Sequence, residues 1–426
     1  MSAGWPAGVF AKEAELVAAY NASGFDLFRR LAASPKNIAV SPYSIGSAMA
    51  MALAGARGAT AAEMANALHQ TLPRSAMEDE NARVLATLNG YDKSATPPQC
   101  PAGMTLKSEQ CVGPRVSGGC NFPARLDGSQ CTTPPKYAPS AKLAVANSLM
   151  LTKAGGKISP DYIKLVKSKF GAEVFRNAGL AEVNSWVKRK TEGKIEKILD
   201  VLDPSARAVL LNAVYFKAAW LSVFDKNNTR DEDFSLAAAT KVRVPTMHRT
   251  GSYAVTMQPD FRAIRLPYAL PSLGMIIVVP EKIDGVGEVG AQFDPAKLEN
   301  LRQGFQSQRV ELALPRFKLA YAADLIPPFE AAGIKLAFTD KADFSGMTGR
   351  PVSEGSLKIG QIAHRAVVEV DETGTEAAAA TAVVMMPTAA MPSQPVVFKV
   401  DRPFLFYLVD DATGAVLFQG RVNDPR

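Results

Sequence analysis

One long, weakly patterned segment constrains the fold more than any other part of this 426-residue chain. Residues 371–392 read DETGTEAAAATAVVMMPTAAMP and lie between the strand-like segments AVVEV (366–370) and VVFKV (396–400). Alanine favours helix, but the segment has neither a helix cap nor the apolar stripe of a stable surface helix. Connections longer than about 15 residues without secondary structure are uncommon, and they are usually functional or disordered. The fold must therefore accommodate roughly two dozen such residues between two strands.

Helices precede strands in the rest of the chain. Apolar periodicity and capping residues predict helices over 9–31, 44–56, 59–69, on to about residue 90, and over 160–171 and 182–195. Strand-like segments then dominate, at 209–220, 241–247, 253–257, 261–268, 275–280 and 309–319. This order predicts an α+β fold with mainly antiparallel sheets.

All four cysteines, Cys100, Cys111, Cys120 and Cys131, lie in one short window. The segments CPAGMTLKSEQC and CNFPARLDGSQC have the same spacing and both end in Gln-Cys, which suggests a duplicated, disulfide-closed hairpin. Zinc sites usually use closer pairs such as C-x₂-C, so we favour disulfides and expect no metal. Of the three possible pairings, the repeat favours Cys100 with Cys111 and Cys120 with Cys131. Disulfides indicate an oxidising compartment, so we expect a secreted or periplasmic protein, although residues 1–20 lack the pattern of a secretory signal.

The cysteines belong to a segment of distinct composition. Residues 94–140 are rich in Pro, Gly, Ser and Cys, and strand-like KLAVANSLML (142–151) follows. We interpret 94–140 as an insertion within a single domain spanning 1–426. The longest apolar runs are too short to cross a bilayer, so no membrane span is expected. The formal charge of +7 is spread without a basic run, so no nucleic-acid partner is expected.

Motifs for common enzyme classes are absent from the sequence. It contains three histidines and no G-x-S-x-G, H-E-x-x-H, P-loop or G-x-G-x-x-G pattern. A Ser-His hydrolase leaves no local signal, because its triad residues are distant in the chain. Nothing supports one here, so we expect neither an enzyme nor a cofactor.

Several motifs, in chain order, resemble the serpin family of serine protease inhibitors. The C-terminal FKVDRPFLFYLVDDATGAVLFQGRVNDP (398–425) is similar to the family signature. Four other segments match: NIAVSPYSI (37–45), LLNAVYFKAAW (210–220), DFSGMTG (343–349) and DETGTEAAAATA (371–382). The resemblance covers nearly the whole chain apart from the insertion.

The resemblance implies a monomer in which helices pack around three mainly antiparallel β-sheets, with an exposed reactive-centre loop at 371–395. Two features depart from the family pattern. One is the cysteine-bearing insertion, and the other is Pro327-Pro328, at the start of a segment that is usually helical.

Inhibitory serpins are suicide substrates of serine proteases. The protease attacks the loop, and after acylation the cleaved loop inserts into the main sheet as a new strand and traps the acyl-enzyme. Strand periodicity in this loop is compatible with insertion, because one face would be uncharged: Thr375, Ala377, Ala379, Thr381, Val383 and Met385. The alternative is a non-inhibitory carrier, chaperone or storage protein of the same fold. Such members often have bulky, charged or proline residues at the hinge, whereas Thr375 and Ala377 through Ala380 of this chain are none of these.

Family spacing implies the positions of the hinge and of the scissile bond. The hinge residues would be Glu372, Gly374, Thr375, Ala377, Ala378, Ala379 and Ala380. The scissile bond would join Thr388 to Ala389, with Met386, Ala390 and Met391 as alternatives. None of these is Arg or Lys, so the expected target is elastase-like, subtilisin-like or chymotrypsin-like rather than trypsin-like.

The resemblance also implies two control points in the main sheet. The shutter, whose polar contacts hold the central strands together, would comprise Ser41, Ser44, Asn212 and His364. The breach, where the loop enters, would comprise Trp220, Arg316 and Glu372. An ion pair between Arg316 and Glu372 is expected there.

Overall fold

A computed structural model describes residues 7–91, 104–107, 110–114, 125–127, 130–133, 141–203, 206–270, 272–355, 357–375 and 394–426. The α-helices in these ranges are α1 Ala7–Leu31, α2 Pro42–Gly55, α3 Gly58–Ala67, α4 Arg74–Gly90, α5 Pro160–Phe170, α6 Leu180–Lys190, α7 Val286–Gln292, α8 Pro295–Gln303, α9 Ile326–Ala331 and α10 Ser345–Thr348. Short 3₁₀ helices span Lys153–Gly155, Lys226–Asn228, Leu336–Phe338 and Val352–Glu354.

The strands of the first half are β1 Ile38–Val40, β2 Thr105–Lys107, β3 Gln110–Pro114, β4 Arg125–Asp127, β5 Gln130–Thr133, β6 Ala141–Leu151, β7 Glu173–Arg176, β8 Ala208–Ala219 and β9 Arg230–Ala237. Those of the second half are β10 Thr240–Met257, β11 Phe261–Pro267, β12 Leu273–Pro280, β13 Gln306–Pro315, β14 Phe317–Asp324, β15 Ile359–Val370, β16 Gly374–Thr375, β17 Val396–Lys399, β18 Phe404–Asp410 and β19 Val416–Val422.

Three sheets are present in the described part of the chain. A nine-stranded sheet has the order β1-β19-β18-β12-β11-β10-β13-β17, with β9 paired to β10. A six-stranded sheet has the order β14-β15-β16-β8-β6-β7, and a four-stranded sheet, β2-β3-β5-β4, belongs to the insertion. Most pairs are antiparallel; the parallel ones are β6 with β7, β8 with β15, and β13 with β17. The predicted α+β class is confirmed.

The six-stranded sheet is packed on both faces. On β8, Leu210, Val214 and Phe216 point into the larger hydrophobic cluster, whereas Leu211 and Ala213 belong to a smaller one on the opposite face. This alternation follows from the two-residue period of a strand. The nearly continuous apolar sequence of β8 reflects burial on both sides.

Two strand boundaries differ from the sequence-based prediction. Segments 241–247 and 253–257 form one strand, β10. The residues between the two segments form strands only weakly, but β13 pairs with Thr246–Val255 without interruption and supplies their backbone hydrogen bonds. Conversely, the segment predicted at 309–319 divides at Arg316 into β13 and β14, which belong to different sheets. The Arg316 N–H donates to the Pro245 carbonyl, 2.9 Å away, at this crossing.

Helix termini follow local chemistry closely. Ser41 caps α2 by accepting a hydrogen bond from the Ser44 N–H at 3.1 Å, and Pro42 occupies the first turn. Helix α6 ends at Lys190, before the predicted stop, and Gly193 follows with a φ of +81°. Pro327 and Pro328 lie in the first turn of α9, where a backbone N–H has no helical partner to lose, so helix forms despite them.

The two cysteine-bearing repeats have the same backbone pairing. Leu106 pairs with Cys111 in one hairpin, and Leu126 pairs with Cys131 in the other. The inner strands β3 and β5 then pair with each other. At the base of the insertion, the Ala141 N–H donates to the Tyr91 carbonyl at 3.3 Å, which brings its two ends together. Cys100 and Cys120 lie outside the described residues, so the disulfide pairing stays a prediction.

Neither a membrane-spanning helix nor a metal-binding cluster is found in the described ranges. No helix there combines the length and hydropathy that a membrane crossing requires. No group of three His, Cys, Asp or Glu side chains there is arranged to hold a metal ion.

Candidate functional site

The hinge residues Gly374 and Thr375 form a short strand inside the six-stranded sheet. Along most of their length β15 and β8 pair directly and in parallel, up to Val367 with Tyr215. Beyond that point β16 lies between them, with Thr375 paired to Val370 of β15 and to Ala218 of β8. The start of the loop has therefore already entered one end of the sheet.

A tight turn reverses the chain between β15 and β16. Asp371 Oδ1 accepts hydrogen bonds from the N–H groups of Thr373 (2.8 Å) and Gly374 (3.2 Å). The Asp371 N–H donates to the Gly374 carbonyl at 2.9 Å. Gly374 has a φ of +154°, and a Cβ there would lie 2.1 Å from the Ala218 carbonyl oxygen. Only glycine permits this close approach of two backbones.

Aromatic residues anchor the inserted hinge. The hydroxyl groups of Thr375 and Tyr268 are 2.7 Å apart, and both residues are fully buried. Tyr268 stacks on Trp220 with ring centroids 4.5 Å apart. The Trp220 indole Nε1–H donates to the Asp371 carbonyl at 3.0 Å, and its backbone N–H donates to Thr373. Trp220 thus holds the turn through two hydrogen bonds, whereas the sequence offered no signal for Tyr268. The role of Trp220 in a breach stays a prediction.

Arg316 and Glu372 form the expected ion pair. The Arg316 Nε donates to Glu372 Oε1 at 2.7 Å, and its Nη2 and the Thr229 hydroxyl donate to the same oxygen. The Glu372 side chain is only 1% exposed. Burial alone would raise the pKa of Glu372, but the hydrogen bonds from Arg316 and Thr229 lower it below its ordinary value. The buried carboxylate is therefore held ionised beside the hinge.

The four residues predicted for the shutter lie in or next to one buried polar network. Asn212 on β8 lies opposite His364 on β15, and its Oδ1 is 2.5 Å from His364 Nδ1. The Asn212 amide donates to the Ser44 hydroxyl at 2.6 Å, and Ser41 caps the same helix. Asn147 on β6 completes the network, because its Oδ1 accepts from Asn212 at 2.5 Å. An isolated asparagine within apolar LAVANSLML was the only sequence signal for Asn147.

His364 remains neutral in this environment, because burial lowers its pKa to about 3. An unfolded histidine has its ordinary pKa of about 6.5, so the unfolded chain binds a proton that the folded protein does not. The stabilisation is fully present above pH 6.5 and is lost progressively as the pH falls toward 3.

We therefore expect His364→Asn to reduce the pH dependence of stability. Between pH 6.5 and 4.5 the free energy of unfolding of the unaltered protein should fall by about 1.4 kcal/mol per pH unit through this group. Urea unfolding curves over that range give the free energy of unfolding at each pH. The variant should take up one proton fewer on unfolding, so its free energy should change less steeply with pH. His69→Asn, which removes a 47%-exposed histidine 2.8 Å from Asp26, is the comparison variant, and it should leave the contribution of His364 to the slope in place. Equal slopes for all three proteins would contradict a neutral, buried His364.

The remaining predicted site residues lie outside the described part of the chain. They are Ala377, Ala378, Ala379 and Ala380 of the hinge, and Met386, Thr388, Ala389, Ala390 and Met391 around the predicted scissile bond. Their predicted roles stay predictions.

Comparison with known proteins gives a consistent family assignment. The family model described as serpin (serine protease inhibitor) matches residues 18–112 and 125–425. An uncharacterized serpin-like protein of Thermococcus kodakarensis is 34% identical, over 97% of this chain and 87% of its own length. Iripin-2 of Ixodes ricinus is 32% identical, over 97% of this chain and 94% of its own. The structure of human thyroxine-binding globulin in complex with thyroxine superposes with a TM-score of 0.77 and 25% identity, covering 97% of this chain and 99% of the globulin.

Proposed function

The chain belongs to the serpin family, and from that premise we propose that it inhibits a serine protease as a suicide substrate. The serine of the protease attacks the scissile carbonyl in residues 371–395, the peptide bond breaks, and an ester links the two proteins. The cleaved loop then enters the six-stranded sheet between β15 and β8 before water hydrolyses the ester. The nucleophile comes from the protease, so this chain acts as an inhibitor rather than as an enzyme.

Strand β16 is the observation that carries this proposal. Thr375 is already hydrogen-bonded between the two strands that must separate, and it is paired with Ala218 and Val370. Continuing this antiparallel pairing along both strands assigns a position to each later loop residue. Insertion therefore requires elongation of an existing strand rather than nucleation of a new one.

The continued pairing leads through the shutter. Six residues beyond Thr375, Thr381 falls opposite Asn212 on β8 and His364 on β15. Adjacent strands lie about 4.8 Å apart, so a new strand between β8 and β15 must break the 2.5 Å contact between Asn212 and His364. The Thr381 hydroxyl would lie between these side chains and could bond to both. The network would then hold the sheet closed before insertion and accept the loop after it.

The same pairing decides which face each loop residue occupies. Thr375 and every second residue after it would face the larger hydrophobic cluster, as Phe216 and Val214 of β8 do. That set contains no charge. Glu376, on the other face, would fall beside Lys217 and Glu369. The sequence thus places its only charge in 375–386 on the face where a lysine is near.

Insertion would be strongly favourable once the loop is cut. About ten residues would each gain one net hydrogen bond worth about 1 kcal/mol, or on the order of 10 kcal/mol before packing is counted. The uncut state would therefore be kinetically trapped. This difference supplies the free energy that distorts the bound protease.

The residues around the predicted scissile bond suggest the class of the target protease. Thr388 or Ala389 suits an elastase-like or subtilisin-like pocket, and Met386 or Met391 would also admit chymotrypsin-like enzymes. We further propose a secreted or periplasmic monomer with disulfides in the insertion, on the basis of the clustered cysteines alone.

The direct test is incubation with pancreatic elastase, subtilisin, chymotrypsin and trypsin, followed by denaturing gels and mass spectrometry. We expect a covalent band near the summed masses with one of the first three proteases, and a cut between Met386 and Met391. Trypsin should give no such band. Catalytically inactive protease, with its serine replaced, is the control and should also give none, because the ester cannot form.

Cleavage in the loop without a covalent band would support the alternative. A non-inhibitory carrier, chaperone or storage protein of this fold would be cut as an ordinary substrate and would not trap the protease. That result would overturn the inhibitory proposal while leaving the family assignment intact.

A further inference from the structure

A cavity of about 500 Å³ opens beside the hinge turn. Its buried wall includes Trp220, Phe224 and Leu266, and its more polar wall includes residues of β10, among them Arg249 and Tyr253. This volume lies in the range of small-molecule sites, which are mostly apolar with a few convergent polar groups. Size and lining both suit a compact aromatic or aliphatic ligand.

The charge of the cavity indicates the kind of ligand. Its lining contains two arginines, Arg249 and Arg309, and no Asp or Glu. The Arg249 Nη1 donates to the Val223 carbonyl at 3.0 Å. In the described part of the chain, neither arginine has a carboxylate within ion-pair distance. Guanidinium groups bind carboxylates through paired hydrogen bonds, so the cavity is complementary to an anion.

A buried hydroxyl group gives a second, independent indication. Tyr253 is only 7% exposed, yet its hydroxyl has no hydrogen-bond partner among the described residues. Buried polar groups are nearly always satisfied, so this hydroxyl has an unfilled requirement. Gly251 lies between Tyr253 and Arg249, and a Cβ there would be 3.3 Å from the Tyr253 ring and 3.5 Å from Arg249 Nε. The side chains of Arg249 and Tyr253 therefore both lie close to Gly251, which has no side chain to separate them.

We propose that this cavity binds a small aromatic carboxylate. The ring would lie against Trp220 and Phe224, and the carboxylate would accept hydrogen bonds from the guanidinium group of Arg249. The hydroxyl of Tyr253 would gain a partner on the ligand. This inference is separate from protease inhibition, since ligand binding requires neither cleavage nor movement of the loop.

The site adjoins the residues that hold the hinge. The backbone N–H groups of Trp220 and Phe224 donate to the Thr373 and Glu372 carbonyls, at 2.9 and 2.8 Å. The ligand would thus occupy the far side of the segment that anchors the hinge turn.

The test is isothermal titration calorimetry of the intact protein with 2-naphthoate, and with 2-naphthamide as its neutral counterpart. We expect saturable 1:1 binding of 2-naphthoate with a Kd below about 1 mM, and at least tenfold weaker binding of the amide, because the amide lacks the charge. Absence of saturable naphthoate binding, or equal affinity for the two compounds, would overturn the proposal.

Substitutions in the cavity lining test whether the ligand binds there. Arg249→Gln should weaken naphthoate binding about tenfold, and Gly251→Val should abolish it by filling the space between Arg249 and Tyr253. Arg243→Gln, on the same strand but outside the cavity lining, is the matched control and should bind as the unaltered protein does. Unchanged binding in both Arg249→Gln and Gly251→Val, with circular dichroism showing that each is folded, would place the ligand elsewhere and refute the assignment.

Discussion

Ala379→Glu is expected to convert the protein from an inhibitor into a substrate. Continuing the pairing of β16 by four residues places Ala379 opposite Val214 and Ala366, both fully buried in the larger hydrophobic cluster. A carboxylate inserted there would lose its hydration without gaining a partner, at a cost of several kcal/mol. Loop insertion should then be slower than ester hydrolysis. On denaturing gels, the yield of covalent complex should fall at least tenfold while cleavage of the loop continues.

Ala380→Glu is the matched control for this prediction. The same pairing would place Ala380 on the other face of the sheet, between buried Ala213 and Arg365, whose side chain is 27% exposed and already pairs with Asp200. A carboxylate there would be close to a cation, so complex formation should be better preserved than in Ala379→Glu. Equal loss in both variants would show that any added charge is harmful. Loss in Ala380→Glu alone would mean that the two faces are assigned the wrong way round.

Cleavage of the loop between Met386 and Met391 is expected to raise the thermal unfolding midpoint by about 10 °C or more. The inserted strand adds on the order of 10 kcal/mol of hydrogen bonding. The unfolding entropy is about 2 cal/mol/K per residue. In a chain of this length, each kcal/mol added to the free energy of unfolding therefore raises the unfolding midpoint by roughly 1 °C. Differential scanning calorimetry of intact and cleaved protein measures the shift.

The Ala379→Glu protein, cut at the same bond, is the control for that measurement. The buried carboxylate would offset several kcal/mol of the gain from insertion, so its midpoint should rise markedly less than that of the cleaved unaltered protein. If the unaltered protein also showed no rise on cleavage, the proposed insertion would be refuted, whatever complexes the gels revealed. If both proteins gained equally, the stabilisation would come from chain cleavage and not from the inserting face.

Much of the architecture was accessible from local sequence. Helical periodicity, the Ser41-Pro42 start of α2 and the glycine stops are properties of residues within one or two turns of each other, so they are readable without a fold. The division of 309–319 into two strands was not, because it depends on the contact of Arg316 with Pro245, which is distant in sequence. The joining of β10 depended in the same way on its partner β13.

Some residues of the candidate site were also indicated by local sequence, whereas others were found only from contacts between distant segments. Motif resemblance predicted site roles for Asn212, His364, Trp220 and Glu372. It gave no reason to include Tyr268, whose hydroxyl contacts that of Thr375, 107 positions away in the chain. Asn147 was visible only as a polar residue in an apolar strand until β6 was placed beside β8. Contacts of this kind are set by sheet register, which local patterns do not encode.

By itself, the sequence determined the family and the α+β class, and it predicted an uncharged face for the loop, because motifs and strand periodicity are carried by neighbouring residues. Only the tertiary structure decided that Gly374 and Thr375 already lie inside the sheet, and that Arg249, Tyr253 and Trp220 enclose a cavity beside them. Those facts depend on backbone pairing between β8, β15 and β16 and on the crossing of β10, which arise when distant segments pack around a common core.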